Sequence, residues 1–563
     1  MFNEITFYRI FVLLTLMLAP IWVTADEVIV ETSQGKLLGV TVGKVNVFKG
    51  IPYAVPPVGI RRWKTAEATR GWPGIRTAMN FGPECMQPHR SGDTEKSFWY
   101  RPDAPMSEDC LYLNVWSAGE SKEKRPVMVW IHGGGLLNGS GSLPIYDGTA
   151  LSRKGVVVVT INYRLGVFGF LAHPELTKES IHNSSGNYGL TDQIQALKWV
   201  QKNIAAFGGD PDNVTLFGES AGGFSVVFHL ATPLTKGLFH RAIVQSGGGF
   251  FPLRGLEERR FVVASAQDIG DAVAKAAGAK SLAGLRRLTA EELLTEADRS
   301  TFYVQGVRPN VDGWVLPDQP YRIFKQGRQN DVPVMAGFNQ DEHSALPPVL
   351  PGDATAYEKD IRARYGDFAN DYLTIYPAKH IQDSVYDAKR DGFLGWNMMT
   401  LARLTSNVSS DAYLYYFSHI PPGGERKVAG PGGKGERVLG AYHAGEIAYV
   451  FLDNKIKGKG IFQKGSGELF GQTDLRLANA MSDYWVAFAR TGQPKVEGLP
   501  LWKSYSSSKH SYMEFNINAT PKENLIPSAV SLWDNIYTSW RDQSLFWSSR
   551  DVGYSRNNSG NDD

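Results

Sequence analysis

Gly218-Glu219-Ser220-Ala221-Gly222 spells G-x-S-x-G, the arrangement that holds a serine hydroxyl on a turn too sharp for bulky neighbours. A hydroxyl presented this way attacks a carbonyl carbon once a nearby base takes its proton. In a chain with 59 glycines the pentapeptide alone is a weak signal. Its context is stronger: residues 214–217 read as a buried strand running into it, and a helical pattern starts at Ser220 and continues to Leu230. The bland alternative is a glycine-rich turn whose serine only caps a helix.

Attack on a carbonyl develops negative charge on its oxygen, and that oxygen needs donors aimed at it. Trp130-Ile131-His132-Gly133-Gly134-Gly135 places a glycine run directly after an apolar strand, where backbone N–H groups stay uncovered. With the N–H of Ala221, this suggests a three-donor oxyanion hole from Gly134, Gly135 and Ala221. A phosphate loop would need G-x-x-x-x-G-K-[ST], and a dinucleotide site G-x-G-x-x-G after an early strand; neither is present. Two cysteines without a nearby histidine pair do not suggest a metal site, so neither a metal nor an organic cofactor is expected.

Such groups must be held by strands and helices. Short apolar runs at 127–131, 156–161, 214–217, 242–245, 332–336 and 413–417 alternate with helical patterns, for example 191–204 and 220–230. Nearly continuous apolarity implies burial on both faces, so the fold class is α/β, with a large mostly parallel central sheet and helices on both faces. The first hundred residues, broken by Thr32, Gly35, Lys36, Gly39 and Gly43, read as an antiparallel start. No repeat and no Ser/Gly linker divides the chain, which predicts one domain over 26–546. Residues 421–435 read as an exposed loop, and 547–563 as a polar, disordered tail.

Composition narrows the function further. A net charge of +2, from 59 Lys plus Arg against 57 Asp plus Glu, lacks the basic excess of proteins that track phosphate backbones, so nucleic acid is not an expected partner. Hydrophobic residues at 42% and charged residues at 21% suit a globular fold. Arg9, the apolar run 10–23 and the small residues at Val23-Thr24-Ala25 read as a secretory signal over 1–25, which predicts a secreted or periplasmic protein. The run is short for a membrane anchor, is interrupted by Thr15 and Pro20, and no later stretch predicts a membrane span. In an oxidising compartment Cys85 and Cys110, 25 residues apart, are best read as one disulfide, with two buried thiols as the alternative. Asn138, Asn183, Asn213, Asn407, Asn518 and Asn557 head Asn-x-Ser/Thr sequons, whose use depends on the host.

These segments together resemble the type B carboxylesterase/cholinesterase family of the α/β-hydrolase superfamily. The likeness runs in order through GIPYAVPPVG (50–59), SEDCLYLNVW (107–116), NYRLGVFGFL (162–171), FGESAGG (217–223) and LPLW (499–502). It implies the α/β-hydrolase fold and hydrolysis of uncharged carboxylic esters through an acyl-enzyme. GFNQDEH (337–343) is similar to the segment carrying the triad acid, Glu342, although the family's usual glycine after it is His343 here; GAYHAGE (440–446) is similar to the segment carrying the base, His443. The order Ser220, Glu342, His443 matches nucleophile, acid, base in this superfamily, and both later residues fall past strand ends. Asp341 competes with Glu342 as the acid. The resemblance further implies that Glu219 and Glu446 support the site from behind, and that Arg62–Glu108 and Arg164–Asp192 are scaffold salt bridges. Where choline-binding members have a tryptophan this chain has Tyr100, next to Trp99, which favours a broad carboxylesterase over a cholinesterase. A small-molecule ester is thus the expected partner. A non-catalytic binding relative, a lipase and a hydrolase for one specialised toxin or pesticide ester stay open as alternatives.

Overall fold

Thirteen strands share one sheet. In chain order they are β1 (Asp26–Thr32), β2 (Gly35–Val42), β3 (Val45–Pro52), β4 (Ile75–Thr77), β5 (Tyr112–Ala118), β6 (Arg125–Ile131), β7 (Val157–Ile161), β8 (Gly209–Glu219), β9 (Arg241–Gln245), β10 (Val334–Asn339), β11 (Ala412–Phe417), β12 (Tyr512–Phe515) and β13 (Ala519–Lys522). The computed structural model describes residues 26–88, 104–119, 123–259, 263–299, 307–344, 348–425, 427–429, 436–452 and 470–545. The strand order is β1-β2-β3-β5-β7-β6-β8-β9-β10-β11-β12-β13, with β4 beside β2. The strands from β7 through β12 run parallel, while β1, β2, β3 and β5 join antiparallel at one edge and β13 does so at the other. The sheet is therefore mixed, with the expected parallel centre and the expected antiparallel start.

Side-chain alternation explains why the central strands read as unbroken apolar runs. Along β6, Val127, Val129 and Ile131 enter one core while Met128 and Trp130 enter the other. Along β9, Ala242 and Val244 face the first core and Ile243 the second. Both faces need covering, and helices supply it. Among them are α1 (Tyr188–Asn203), α2 (Ala221–Ala231), α3 (Ile381–Arg390), α4 (Trp396–Thr405), α5 (Gln472–Thr491) and α6 (Pro527–Asp542). Val226 of α2, Trp396 of α4 and Trp533 of α6 belong to the first core; Met481, Trp485 and Phe488 of α5 belong to the second.

Cys85 and Cys110 form a disulfide. Beside it, Arg62 grips Glu108 with two nitrogens, at 2.7 and 2.5 Å, and donates to the carbonyls of Leu285 and Leu288. Arg164 makes a paired contact with the buried Asp192 at 2.8 and 2.6 Å. Fork-on-carboxylate geometry of this kind ties distant segments together. The 421–435 segment is not all loop: Lys427–Ala429 pairs with Glu436–Val438 in a short antiparallel ladder. Residues 1–25, Trp99, Tyr100, Asn557 and the 547–563 tail lie outside the described residues. Among the described residues no helix is long and apolar enough to cross a membrane.

The disulfide closes a loop of 25 residues, and constraining such a loop in the unfolded chain is worth about 3 kcal/mol. Peptide mapping without reductant should recover Cys85 and Cys110 in one linked species, and the Cys85→Ala/Cys110→Ala double variant should melt a few degrees lower; two alkylatable thiols in the native protein would contradict this.

Candidate active site

Strand β8 ends at Glu219 and α2 begins at Ala221, so the whole reversal falls on Ser220, which adopts φ 52° and ψ −122°. A side chain in that region is strained and must be held by its surroundings. The Ser220 N–H donates to the Gln245 carbonyl at the end of β9 (2.9 Å), and its own carbonyl accepts from Phe224 one turn into α2 (2.9 Å). Glycine on either side is a steric requirement. A Cβ on Gly222 would stand 1.9 Å from the Ile131 carbonyl oxygen, and one on Gly218 would stand 2.7 Å from the Gly222 backbone. The hydroxyl makes no capping bond to α2, which removes the helix-cap reading.

The loop after β6 runs past this turn. A Cβ on Gly133 would lie 3.2 Å from Ser220 Cβ and 2.8 Å from Glu219 Oε2. Gly134 and Gly135 take φ of 104° and 65°, and the Gly134 carbonyl accepts from the N–H groups of Leu137 and Asn138, curling the loop back on itself. His132 is not a second base: burial pushes its imidazole down to about 4, and it stacks on Tyr163 with ring centres 4.5 Å apart.

The two adjacent carboxylates, Glu342 and Asp341, meet different partners. Glu342, just past β10, accepts from His443 Nδ1 through Oε2 at 2.6 Å; its Oε1 accepts from the Asn339 N–H at 2.7 Å and the Ser246 hydroxyl at 2.5 Å. Asp341 instead holds the loop that carries the base, since its Oδ2 accepts from the Ala441 N–H (2.7 Å) and its N–H donates to the Ala441 carbonyl (3.0 Å). His443 is further fixed by its N–H donating to Ser344 Oγ at 2.8 Å. His343, in the place of the family's usual glycine, stacks parallel on Tyr386 at 4.0 Å.

Glu219 and Glu446 are wholly buried. Glu446 accepts from Asn339 Nδ2 (2.6 Å) and Gln245 Nε2 (3.1 Å), and Gln245 in turn accepts from Trp485 Nε1 (3.1 Å). Glu219 Oε1 lies 3.1 Å from His443 Nε2, and among the described residues neither of its oxygens accepts a hydrogen bond. No hydrogen bond joins Ser220 Oγ to His443 among the described residues; the imidazole edge that would serve the serine is turned toward Glu219. Sequence reading missed Gln245, Ser246 and Asn339. The signal was a polar residue ending each of two apolar strands, β9 and β10.

Electrostatics follow from this crowding. Burial alone would lower the His443 pKa, but Glu219, Glu342 and Glu446 outweigh it and push the imidazole up to about 10. Burial lifts Glu219 well above the usual carboxylate range, against the attraction of His443, and lifts Glu446 in the same sense. Among the described residues no cluster of His, Cys, Asp and Glu is arranged to hold a metal ion.

Comparison with known proteins follows the same lines. The family model described as Carboxylesterase family matches residues 26–533. The chain is 38% identical over 475 residues to Fumonisin B1 esterase of Sphingopyxis macrogoltabida, covering 82% of each. It is 34% identical over 495 residues to para-nitrobenzyl esterase of Bacillus subtilis strain 168, covering 85% of this chain and 92% of the relative. The solved structure of PNB esterase superposes with a TM-score of 0.73 at 32% identity, over 90% of this chain and 99% of that one.

A protonated imidazole cannot take a proton from serine, so with His443 as the expected base its raised pKa should hold back activity until the pH passes it. The acidic limb of kcat/KM should therefore lie above the ordinary histidine value of about 6.5. Glu219→Gln, which deletes the largest upward influence, should move that limb to lower pH. A wild-type limb at 6.5 that the variant leaves in place would show that the carboxylates do not govern the base.

Proposed function

The chain belongs to the carboxylesterase family, and we propose that it hydrolyses small carboxylic esters through an acyl-enzyme formed on Ser220, with His443 as base and Glu342 as acid. Ester hydrolysis on an α/β-hydrolase fold is the property of the family; the residue roles are our reading. The observation that carries it is the 2.6 Å Glu342–His443 contact beside a serine held at φ 52° between two sterically required glycines.

In this reading, Ser220 Oγ attacks the ester carbonyl carbon as His443 Nε2 takes the hydroxyl proton. Substrate draws the imidazole from Glu219 toward Ser220, since catalytic hydrogen bonds that are open in the free enzyme tighten when substrate binds. The N–H groups of Gly134, Gly135 and Ala221 receive the oxyanion. His443 then passes the proton to the departing alcohol, and a water molecule repeats the sequence to release the acid and restore Ser220. Glu342 keeps the Nδ1 proton in place and stabilises the imidazolium, held itself by Ser246 and Asn339. Glu219 and Glu446 act through His443 and Asn339 as positioning residues. The relatives are named for different esters, of Fumonisin B1 and of para-nitrobenzyl compounds, so the shared machinery does not specify the substrate. We also propose that residues 1–25 direct export and are removed, which suits a chain whose two cysteines are joined.

Ser220→Ala should abolish nearly all turnover of a p-nitrophenyl ester with the fold intact, and an organophosphate should label wild type once, on Ser220. Glu342→Gln should lose about 10³ to 10⁴ in kcat when each enzyme is measured above its own acidic limb. Asp341→Asn should lose far less, because Asp341 serves the Ala441 backbone. Reversal of that order would reassign the acid.

A further inference from the structure

The backbone of residues 134–139, the loop whose glycines are read as oxyanion donors, is tied to other segments at two places among the described residues. At the first, the Leu136 carbonyl accepts from the Gly166 N–H at 2.8 Å. The second is a side chain. Gln87 Oε1 accepts from the Gly139 N–H at 2.9 Å, and Gln87 Nε2 donates to the Gly139 carbonyl at 3.2 Å. One amide thus meets both polar groups of Gly139, as a neighbouring strand would.

That amide is itself held in place. Gln87 is buried, with 8% of its surface exposed, and its Nε2 also donates to the Cys85 carbonyl at 3.1 Å. Cys85 is joined to Cys110, and Glu84–Cys85 pairs with Met106–Ser107 in a short parallel ladder. Just past β7, Asn162 braces the same region: its Nδ2 donates to the Pro83 carbonyl at 3.0 Å, and its Oδ1 accepts from the Gly141 N–H at 2.8 Å.

The limb of the loop that Gln87 holds lies directly on the limb that carries the glycines. A Cβ on Gly139 would stand 2.7 Å from the Gly133 carbonyl oxygen and 2.5 Å from His132 Nδ1. One on Gly134 would stand 2.1 Å from the Asn138 carbonyl oxygen. At this density a displacement of Gly139 is passed on to residues 133–134.

We propose that Gln87 is a positioning residue for ester hydrolysis: through Gly139 it sets the direction of the Gly134 and Gly135 N–H groups, and so couples the disulfide-closed segment to stabilisation of the oxyanion. This rests on the reading of those glycines as oxyanion donors. Charge on the carbonyl oxygen develops only as the tetrahedral intermediate forms, so the effect of Gln87 falls on kcat rather than on KM.

Gln87→Met keeps the length and bulk of the side chain and removes both hydrogen bonds to Gly139. Measured on p-nitrophenyl butyrate above the acidic limb, it should lower kcat about tenfold to a hundredfold, the scale of a small misplacement at a reacting centre, with KM within about twofold of wild type. A role confined to stability would lower the melting temperature and leave kcat unchanged. A trifluoromethyl ketone supplies the second readout: Ser220 Oγ adds to its carbonyl carbon, the hydroxyl proton passes to His443, and the oxyanion formed meets the same donors. Its affinity should weaken in Gln87→Met by the factor lost from kcat/KM, while the methyl ketone of the same chain length should bind both enzymes alike. Wild-type kcat and trifluoromethyl ketone affinity in folded Gln87→Met, or a loss confined to KM, would overturn the proposal. Should Gln87→Met fail to fold, judged by melting, Gln87→Asn withdraws the amide from Gly139 by one carbon and is held to the same two readouts. A wild type that binds the trifluoromethyl ketone no more tightly than the methyl ketone would defeat the oxyanion reading itself, whereas a wild type that prefers it, with an unchanged variant, would defeat only the role of Gln87.

Discussion

Three carboxylates, Glu219, Glu342 and Glu446, are buried around a single imidazole, and much of the architecture at the parallel strand ends exists to make that arrangement tolerable. A buried carboxylate without compensation is among the most expensive groups a protein can hold. Glu342 and Glu446 are compensated by donors on neighbouring strands. Asn339, at the end of β10, serves both, giving its backbone N–H to Glu342 and its side-chain amide to Glu446. Gln245, at the end of β9, donates its side-chain amide to Glu446, and its backbone carbonyl accepts from the Ser220 N–H. The register that sets β9 against β10 therefore ties the positions of Ser220, Glu342 and Glu446 together. Glu219 lacks such donors and leans on His443, which makes it the member whose charge depends most on the base.

The second constraint is volume. The turn at Ser220 and the loop after β6 approach so closely that Gly222 has no room for one added carbon, and Gly133 has hardly any. Packing at this density transmits displacement, so a methyl group on Gly222 would have to push the end of β6 and with it the loop that carries Gly134 and Gly135. Backbone strain at Ser220 persists because β9 and α2 each hold one of its backbone hydrogen bonds.

Legibility from sequence followed the range of the physics involved. Strands were readable where burial on both faces leaves an unbroken apolar run: 127–131, 242–245 and 413–417 fall within one residue or two of β6, β9 and β11. The turn at Ser220 and the glycine run after β6 were readable because their signals are local in sequence. That Glu342 meets His443 while Asp341 meets Ala441 was not readable from spacing, since two adjacent carboxylates differ only in which loop each one meets, and the contact with Ala441 is a hundred residues away in the chain. The turn of His443 Nε2 toward Glu219 was equally hidden, because it depends on how three strand ends converge. The 421–435 segment misled by composition: glycine and proline mark turns, and a three-residue ladder can still form between them.

Ser220, Glu342 and His443 sit just past the ends of β8 and β10 and in the loop after β11, where the sheet leaves little freedom. The segment between β10 and β11 carries Glu342 and Ser344 at its start and continues into α3, the π-turn Asp391–Gly395 and α4, where Tyr386 stacks on His343 and Phe393 faces Phe224. His343, a departure in the segment that carries Glu342, is accommodated beside the Glu342–His443 contact because its ring stacks on Tyr386 of α3.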